Sequence, residues 1–199
     1  MTKIKICGIK DQAVIPTLNQ YLPDYVGFVF AKSPRQIKLP QAVALRRQLK
    51  PEIKTVAVVT AYDLSLITAL VKQEVIQAVQ LHCSISAQQL KQLQQLGLQV
   101  FQVVKSTWPR LAAADYWMYD AVQPGSGKLA DWQQIDHQQH PLILAGGLNS
   151  TNVAQAIKQV QPQIVDVSSG VETNGNKDRN KIIDFIRSVR NADQKKYCN

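Results

Sequence analysis

Residues 141–170 read PLILAGGLNSTNVAQAIKQVQPQIVDVSSG, and the parsing of this stretch decides the fold. PLILAGG at 141–147 and IVDVSSG at 164–170 are short, nearly continuous apolar runs that end in small residues, as strands covered on both faces should be. Between them Ser150 opens TNVAQAIKQV, which carries helical periodicity behind a good helix-capping residue. Strand, helix, strand in immediate succession is one βαβ unit.

Working outward, the same alternation recurs along the chain. Further strands are expected at IKICGI 4–9, YVGFVF 25–30, KTVAVV 54–59, AVQLH 78–82, QVFQVV 99–104 and YWMYDA 116–121. Helices are punctuated by Pro40 before QAVALRRQL, by Ser86 before AQQLKQLQQL and Gly97, and by Asp178 before the last helix to Arg190. Eight βα units in one domain predict an α/β fold of the closed (β/α)8 TIM-barrel type, since open doubly wound sheets more often stop at five or six strands. At 199 residues the chain is near the lower limit for that fold, so loops must be short and some helices stunted. Ser106 to Ala114 reads as such a stunted connection, and Pro16 predicts a kink or late start in the first helix. The catalytic barrel is assigned to residues 1–190, with 191–199 a polar, frayed C-terminal tail.

Composition bounds the function classes. No stretch approaches 18 apolar residues and no apolar segment follows a basic start, so neither a membrane span nor secretion is supported, and a cytoplasmic protein is expected. Cys7, Cys83 and Cys198 are odd in number and lack CxxC spacing, which fits free thiols in a reducing compartment. The formal net charge of +9 raises nucleic acid as a partner, but the Lys and Arg residues are scattered and no basic run is interleaved with aromatics. A diffuse positive field would equally attract a small anionic substrate.

In a barrel of this type the active site forms at the C-terminal ends of the strands. That rule collects Cys7, Arg35, His82 with Cys83, Asp120, Gly146 with Gly147, and Ser168, Ser169 and Gly170 at one mouth. LAGGLNS and DVSSGVE are similar to paired turns that hold a phosphate on backbone N–H groups, although Gly-Gly alone also makes an ordinary tight turn. GSGKLA at 125–130 matches the loose GxGxxA pattern, but it follows the sixth strand without a suitably spaced acid, so it reads as a loop closing over substrate. Cys7, His82 and Cys83 have metal-ligating side chains, but adjacent strand residues point to opposite faces, and no metal is expected. For Cys7 itself packing as a small hydrophobe is the ordinary reading, and only its position at the mouth argues otherwise.

KICGI, GFVFAKSPRQI, AVQLH, the Asp120 strand followed by GSGKLADW, LAGGLNSTNV and VDVSSGVETNGNKDRNKI together resemble the phosphoribosylanthranilate isomerase family of tryptophan biosynthesis. The resemblance runs in order over nearly the whole chain. It implies an aldose–ketose isomerase that converts N-(5-phosphoribosyl)anthranilate to 1-(2-carboxyphenylamino)-1-deoxyribulose 5-phosphate by an Amadori rearrangement, with no metal or organic cofactor. It implies Cys7 as general base, Asp120 as general acid, Arg35 facing the anthranilate carboxylate, and the Gly146, Gly147, Ser168, Ser169 and Gly170 turns as the phosphate site. His82 falls among the substrate-binding positions with its role open. The family is often monomeric, and a phosphorylated small molecule is the only partner implied, without nucleic acid or membrane. The alternatives are a related phosphosugar barrel of histidine or tryptophan biosynthesis and a phosphosugar binder without turnover. The former expects an Asp pair or a Lys and Glu set where this chain has Cys7, and the latter expects loss of a catalytic group.

Overall fold

The computed structural model describes residues 1–105, 107–120 and 140–196. Eight parallel strands close into a barrel in sequence order, β1 (Lys3–Cys7), β2 (Tyr25–Val29), β3 (Lys54–Val59), β4 (Ala78–Leu81), β5 (Gln99–Val103), β6 (Tyr116–Tyr119), β7 (Leu142–Leu144) and β8 (Ile164–Val167), with β8 returning to pair β1. The helices are α1 (Ile15–Tyr21), α2 (Leu39–Arg46), α3 (Leu64–Lys72), α4 (Ala87–Gln95), α5 (Val153–Val160) and α6 (Arg179–Lys196). A short hairpin of β9 (Glu172–Thr173) and β10 (Asn176–Lys177) follows β8.

Strand periodicity explains why the runs are apolar on both faces. On one face Ile4, Ile6, Val26, Phe28, Ala57, Val59, Val79, Leu81, Val100, Leu144 and Val165 join the helices in one core. The alternate residues Tyr25, Val56, Ala78, Phe101, Met118, Ile143 and Ile164 fill the barrel interior as a second, separate core. Tyr25, Phe101 and Tyr116 interlock there edge to face, with centroids 5.5 and 5.3 Å apart. Each fully buried aliphatic or Phe side chain contributes about 1.5–3 kcal/mol of transfer free energy, so the filled interior is a main source of stability and leaves only the upper layer for chemistry.

Local signals set several element boundaries. Ser86 caps α4 in a reciprocal capping box with Gln89, and Asp63 caps α3 by accepting from the Leu66 N–H. Pro16 sits in the first turn of α1, so the helix starts late, after a 3₁₀ turn at Gln12–Val14. Residues 107–114 form turns with no helix, the shortened connection expected there.

Other boundaries differ from the sequence reading. Except for β3, the strands end before their expected runs do, and at β4, β7 and β8 the residues left over, His82, Gly146 with Gly147, and Ser168 with Ser169, line the mouth. α5 begins at Val153 rather than behind Ser150, because Asn149 and Asn152 fold the intervening residues into a turn through side-chain bonds to backbone N–H groups. α6 runs on to Lys196, past the end expected at Arg190. Its Asp193 is only 3 % exposed and accepts from the Thr2 N–H at 2.6 Å and the Thr2 hydroxyl at 2.8 Å. That buried pairing ties the last helix to the start of β1. The 125–130 glycine pattern lies outside the described residues, as do Cys198 and the rest of the chain end beyond Lys196.

Candidate active site

The C-terminal ends of the strands surround a cavity of about 250 Å³. Cys7, Arg35, His82, Asp120, Gly146, Gly147, Ser168 and Ser169 all line it, so residues scattered over most of the chain meet in one place. Gly170 does not. A Cβ on it would lie 1.9 Å from the Leu148 carbonyl oxygen, so Gly170 lets the turns after β7 and β8 press together beneath the cavity.

Cys7 ends β1 on the interior face and is 7 % exposed, packed with Val29, Val58 and Ala31. Across the β1–β2 ladder it pairs with Gly27, where a Cβ would sit 2.8 Å from the Cys7 sulfur. Gly27 therefore makes room for the thiol, a constraint the sequence reading missed. Burial pushes the Cys7 thiol up, opposed by the nearby Lys5 and Lys177 ammonium groups.

Beneath Cys7 lies an ion pair also missed from sequence. Lys5, two residues earlier on the same strand face and fully buried, donates to Asp166 at 3.0 Å, and the two are register partners across β1 and β8. Asp166 and, from β4, Gln80 both line the cavity. The signal was present: a Lys and an Asp inside two otherwise apolar strands are costly unless they pair.

Arg35 follows β2 and is gripped by Glu172 of β9, Nε to Oε1 and Nη2 to Oε2, both at 2.7 Å. Lys177 of β10 donates to the same Oε1 at 2.6 Å and to the Ser168 carbonyl at 2.9 Å. Burial alone would raise the Glu172 carboxyl, but the hydrogen bonds and charges of Arg35 and Lys177 prevail and hold it at about 2. The grip uses one edge of the guanidinium. A planar group with five N–H donors keeps its other edge for a second anion.

His82 follows β4, and its Nε2 lies 2.7 Å from the Gln80 Nε2. An amide N–H can donate there only to an unprotonated ring nitrogen. Burial, reinforced by the Lys5 and Lys105 charges, lowers the His82 pKa to about 4, so the ring is neutral at physiological pH. Cys83, next along, packs instead against the outer core. Among the described residues no group of three His, Cys, Asp or Glu side chains is placed to hold a metal ion.

The depressed pKa of His82 has a consequence for stability. Between an unfolded value of 6.5 and about 4 the unfolded chain binds a proton that the folded chain refuses, so stability falls as pH drops through that window, by about 1.4 kcal/mol per unit. Glu172 acts in the same direction below 4.5, where the unfolded carboxylate protonates before the folded one. Urea midpoints should therefore decline from pH 7 to 5, and His82→Gln should flatten that decline. An unchanged slope in the variant would remove His82 as its source.

A family profile described as N-(5'-phosphoribosyl)anthranilate isomerase matches residues 4–188. The chain belongs to this family. A curated relative named N-(5'-phosphoribosyl)anthranilate isomerase, from Lactiplantibacillus plantarum, is 45% identical over 185 residues, covering 92% of this chain and 89% of the relative. The crystal structure of phosphoribosyl anthranilate isomerase from Thermotoga maritima superposes with a TM-score of 0.83 at 29% identity, covering 96% of this chain and 100% of that one. A second Thermotoga maritima structure, described as monomers generated from the dimeric isomerase, gives 0.81 at 30% identity, with coverage of 96% and 100%. The chain is thus an isomerase of tryptophan biosynthesis that converts N-(5'-phosphoribosyl)anthranilate to its 1-deoxyribulose 5-phosphate product. The alternatives of a histidine-pathway barrel and of a non-catalytic binder fall away.

Proposed function

We propose that Cys7 is the general base and Asp120 the general acid of this isomerisation. The observation that carries the assignment is that both line one cavity together with Arg35 and the glycine and serine turns after β7 and β8. The acid gives its proton to the furanose ring oxygen as the C1–O bond breaks, and the amine lone pair forms the C1=N bond of a Schiff base. The Cys7 thiolate then takes the C2 proton. The C–H electron pair becomes the C1=C2 bond, the C=N pair returns to nitrogen, and the enolamine tautomerises to the ketone. Nothing in these steps requires a metal or an organic cofactor.

Arg35 binds the anthranilate carboxylate through the guanidinium edge that Glu172 leaves, and the backbone around Gly146, Gly147, Ser168 and Ser169 takes the phosphate. These anchors come from different strand ends and use different groups, a side chain and backbone N–H groups, so they can be tested apart. Arg35→Ala should raise KM by about 10–150-fold, the equivalent of roughly 1.5–3 kcal/mol for one lost charge-assisted contact, with little change in kcat. Inhibition by inorganic phosphate should be competitive and equally strong in the variant, because the phosphate turns are intact. A hundredfold loss in kcat at constant KM would place Arg35 in the chemistry instead, and non-competitive phosphate would remove the anion site from the cavity.

We further propose a cytoplasmic monomer. Among the described residues no helix is long and apolar enough to cross a membrane. Among the described residues the exposed large apolar side chains are Met1 and Leu22, which are too few to form a continuous patch for a partner. The Thermotoga maritima relative described as dimeric is the counterexample that light scattering on this chain would address.

A further inference from the structure

We propose that Lys5 is a positioning residue that stabilises the thiolate of Cys7 when the thiol ionises, its single ammonium being shared between two anions, the Asp166 carboxylate and the Cys7 sulfur. This rests on the reading of Cys7 as the base and says what makes a buried thiol fit for that task.

The geometry leaves Lys5 few other choices. Its side chain is 0 % exposed, so its three N–H donors must be satisfied inside the barrel. Asp166, its register partner, takes one through Oδ2 at 3.0 Å. Lys5 and Cys7 are two residues apart on one strand and so share the interior face, where each acts on the charge of the other. The sulfur lies over Gly27 of β2, where a Cβ would come within 2.8 Å of it, so a side chain there would displace the thiol from its place beside Lys5 on the strand face. Asp166 Oδ1 is buried with no hydrogen-bond partner among the described residues, so the carboxylate engages Lys5 through one oxygen and leaves the ammonium donors for the sulfur.

Charge balance points the same way. Facing Cys7 are Lys5 from β1, Asp166 from β8, Lys177 from β10 and Arg35 from the loop after β2, with Glu172 of β9 joining the last two. Across the cavity stand neutral His82 and the proton donor Asp120. Lys5, Lys177 and Arg35 favour a charged sulfur, and Asp166 opposes it. In the reaction Lys5 gives up no proton. It keeps the electron pair on sulfur available until the C2 proton arrives, and the new S–H bond then leaves Lys5 to Asp166 alone.

The two partners of Lys5 make the idea testable, because they act on the thiol with opposite sign. The rate of iodoacetamide alkylation at Cys7, followed by peptide mass spectrometry as a function of pH, reports the thiolate directly and separates it from Cys83 and Cys198. Lys5→Met should move the midpoint up by a pH unit or more, a tenfold or greater loss of thiolate at a given pH. Asp166→Asn should move it down, since the sulfur then has the ammonium to itself. If Lys5→Met does not fold, the Lys5→Met/Asp166→Asn protein carries the test, and its midpoint should lie above that of Asp166→Asn alone. Midpoints that stay fixed, or that move in the same direction in both single variants, would overturn the proposal. Failure of the underlying reading looks different: an active Cys7→Ala enzyme would dismiss Cys7 as the base while the alkylation profiles still shifted.

Discussion

Replacing Cys7 by Ala should lower kcat by about 10²–10⁴-fold, the usual contribution of a positioned acid or base, while the protein stays folded. The sulfur packs with Val29, Val58 and Ala31 at the rim rather than in the filled interior, so its loss opens little space and circular dichroism and thermal melting should change only modestly. With the base gone, removal of the C2 proton becomes the slow step. Substrate deuterated at C2 should then react with a full primary isotope effect. In the parent enzyme kcat/KM should climb with pH as Cys7 ionises, and because burial holds that thiol above its ordinary value the climb should extend into the alkaline range. A Cys7→Ala enzyme of normal turnover would return Cys7 to the packing role that its residue type ordinarily has.

Much of this site was legible because barrels obey a positional rule. Once the strands were read from their apolar runs, their ends collected Cys7, Arg35, His82 with Cys83, Asp120 and the two glycine and serine turns, and all of these except Cys83 and Gly170 line one cavity. The hidden part was what lies one layer deeper or arrives from the following turn. Lys5 was read as part of an apolar strand, yet its i, i+2 relation to Cys7 and the equivalent intrusion of Asp166 in IVDV were a visible pair of buried charges in search of each other. Gly27 gave no such warning, because the close approach of a neighbouring strand is a property of register, and register appears only when the sheet closes. Glu172 and Lys177 come from a two-stranded hairpin too short to leave a periodic signal, although the Glu172 carboxylate decides which edge of the Arg35 guanidinium is left open. Gly170 was placed with the ligand because it ends a phosphate-like turn; it does not line the cavity, and its missing Cβ lets two turns meet, a packing role that the sequence pattern did not signal. Asp193 shows the reverse error: polar composition suggested a frayed tail, whereas one buried carboxylate on the helix satisfies both a backbone N–H and a hydroxyl of Thr2.

Asp120→Asn should cost a similar factor of about 10²–10⁴ in kcat, for a different reason and with a different signature. The residue follows β6, and in the closed barrel β7 and β8 stand between it and Cys7, so acid and base reach the cavity from separated strands. Ring opening needs a proton delivered to the furanose oxygen as the C1–O bond breaks, and a carboxamide of the same shape has none acidic enough to give. The slow step should therefore move forward to ring opening, before the C2–H bond is touched. Deuterium at C2 should then have almost no effect on turnover, in contrast to the large effect expected for Cys7→Ala. Because the two groups act in successive steps, the double variant should be limited by whichever step is the more crippled and should fall well short of the product of the two losses. A full isotope effect in Asp120→Asn would mean that this residue assists C2 deprotonation rather than ring opening. Normal turnover per folded molecule with poor folding yield would make Asp120 a structural residue, and the acid would have to be sought elsewhere around the cavity.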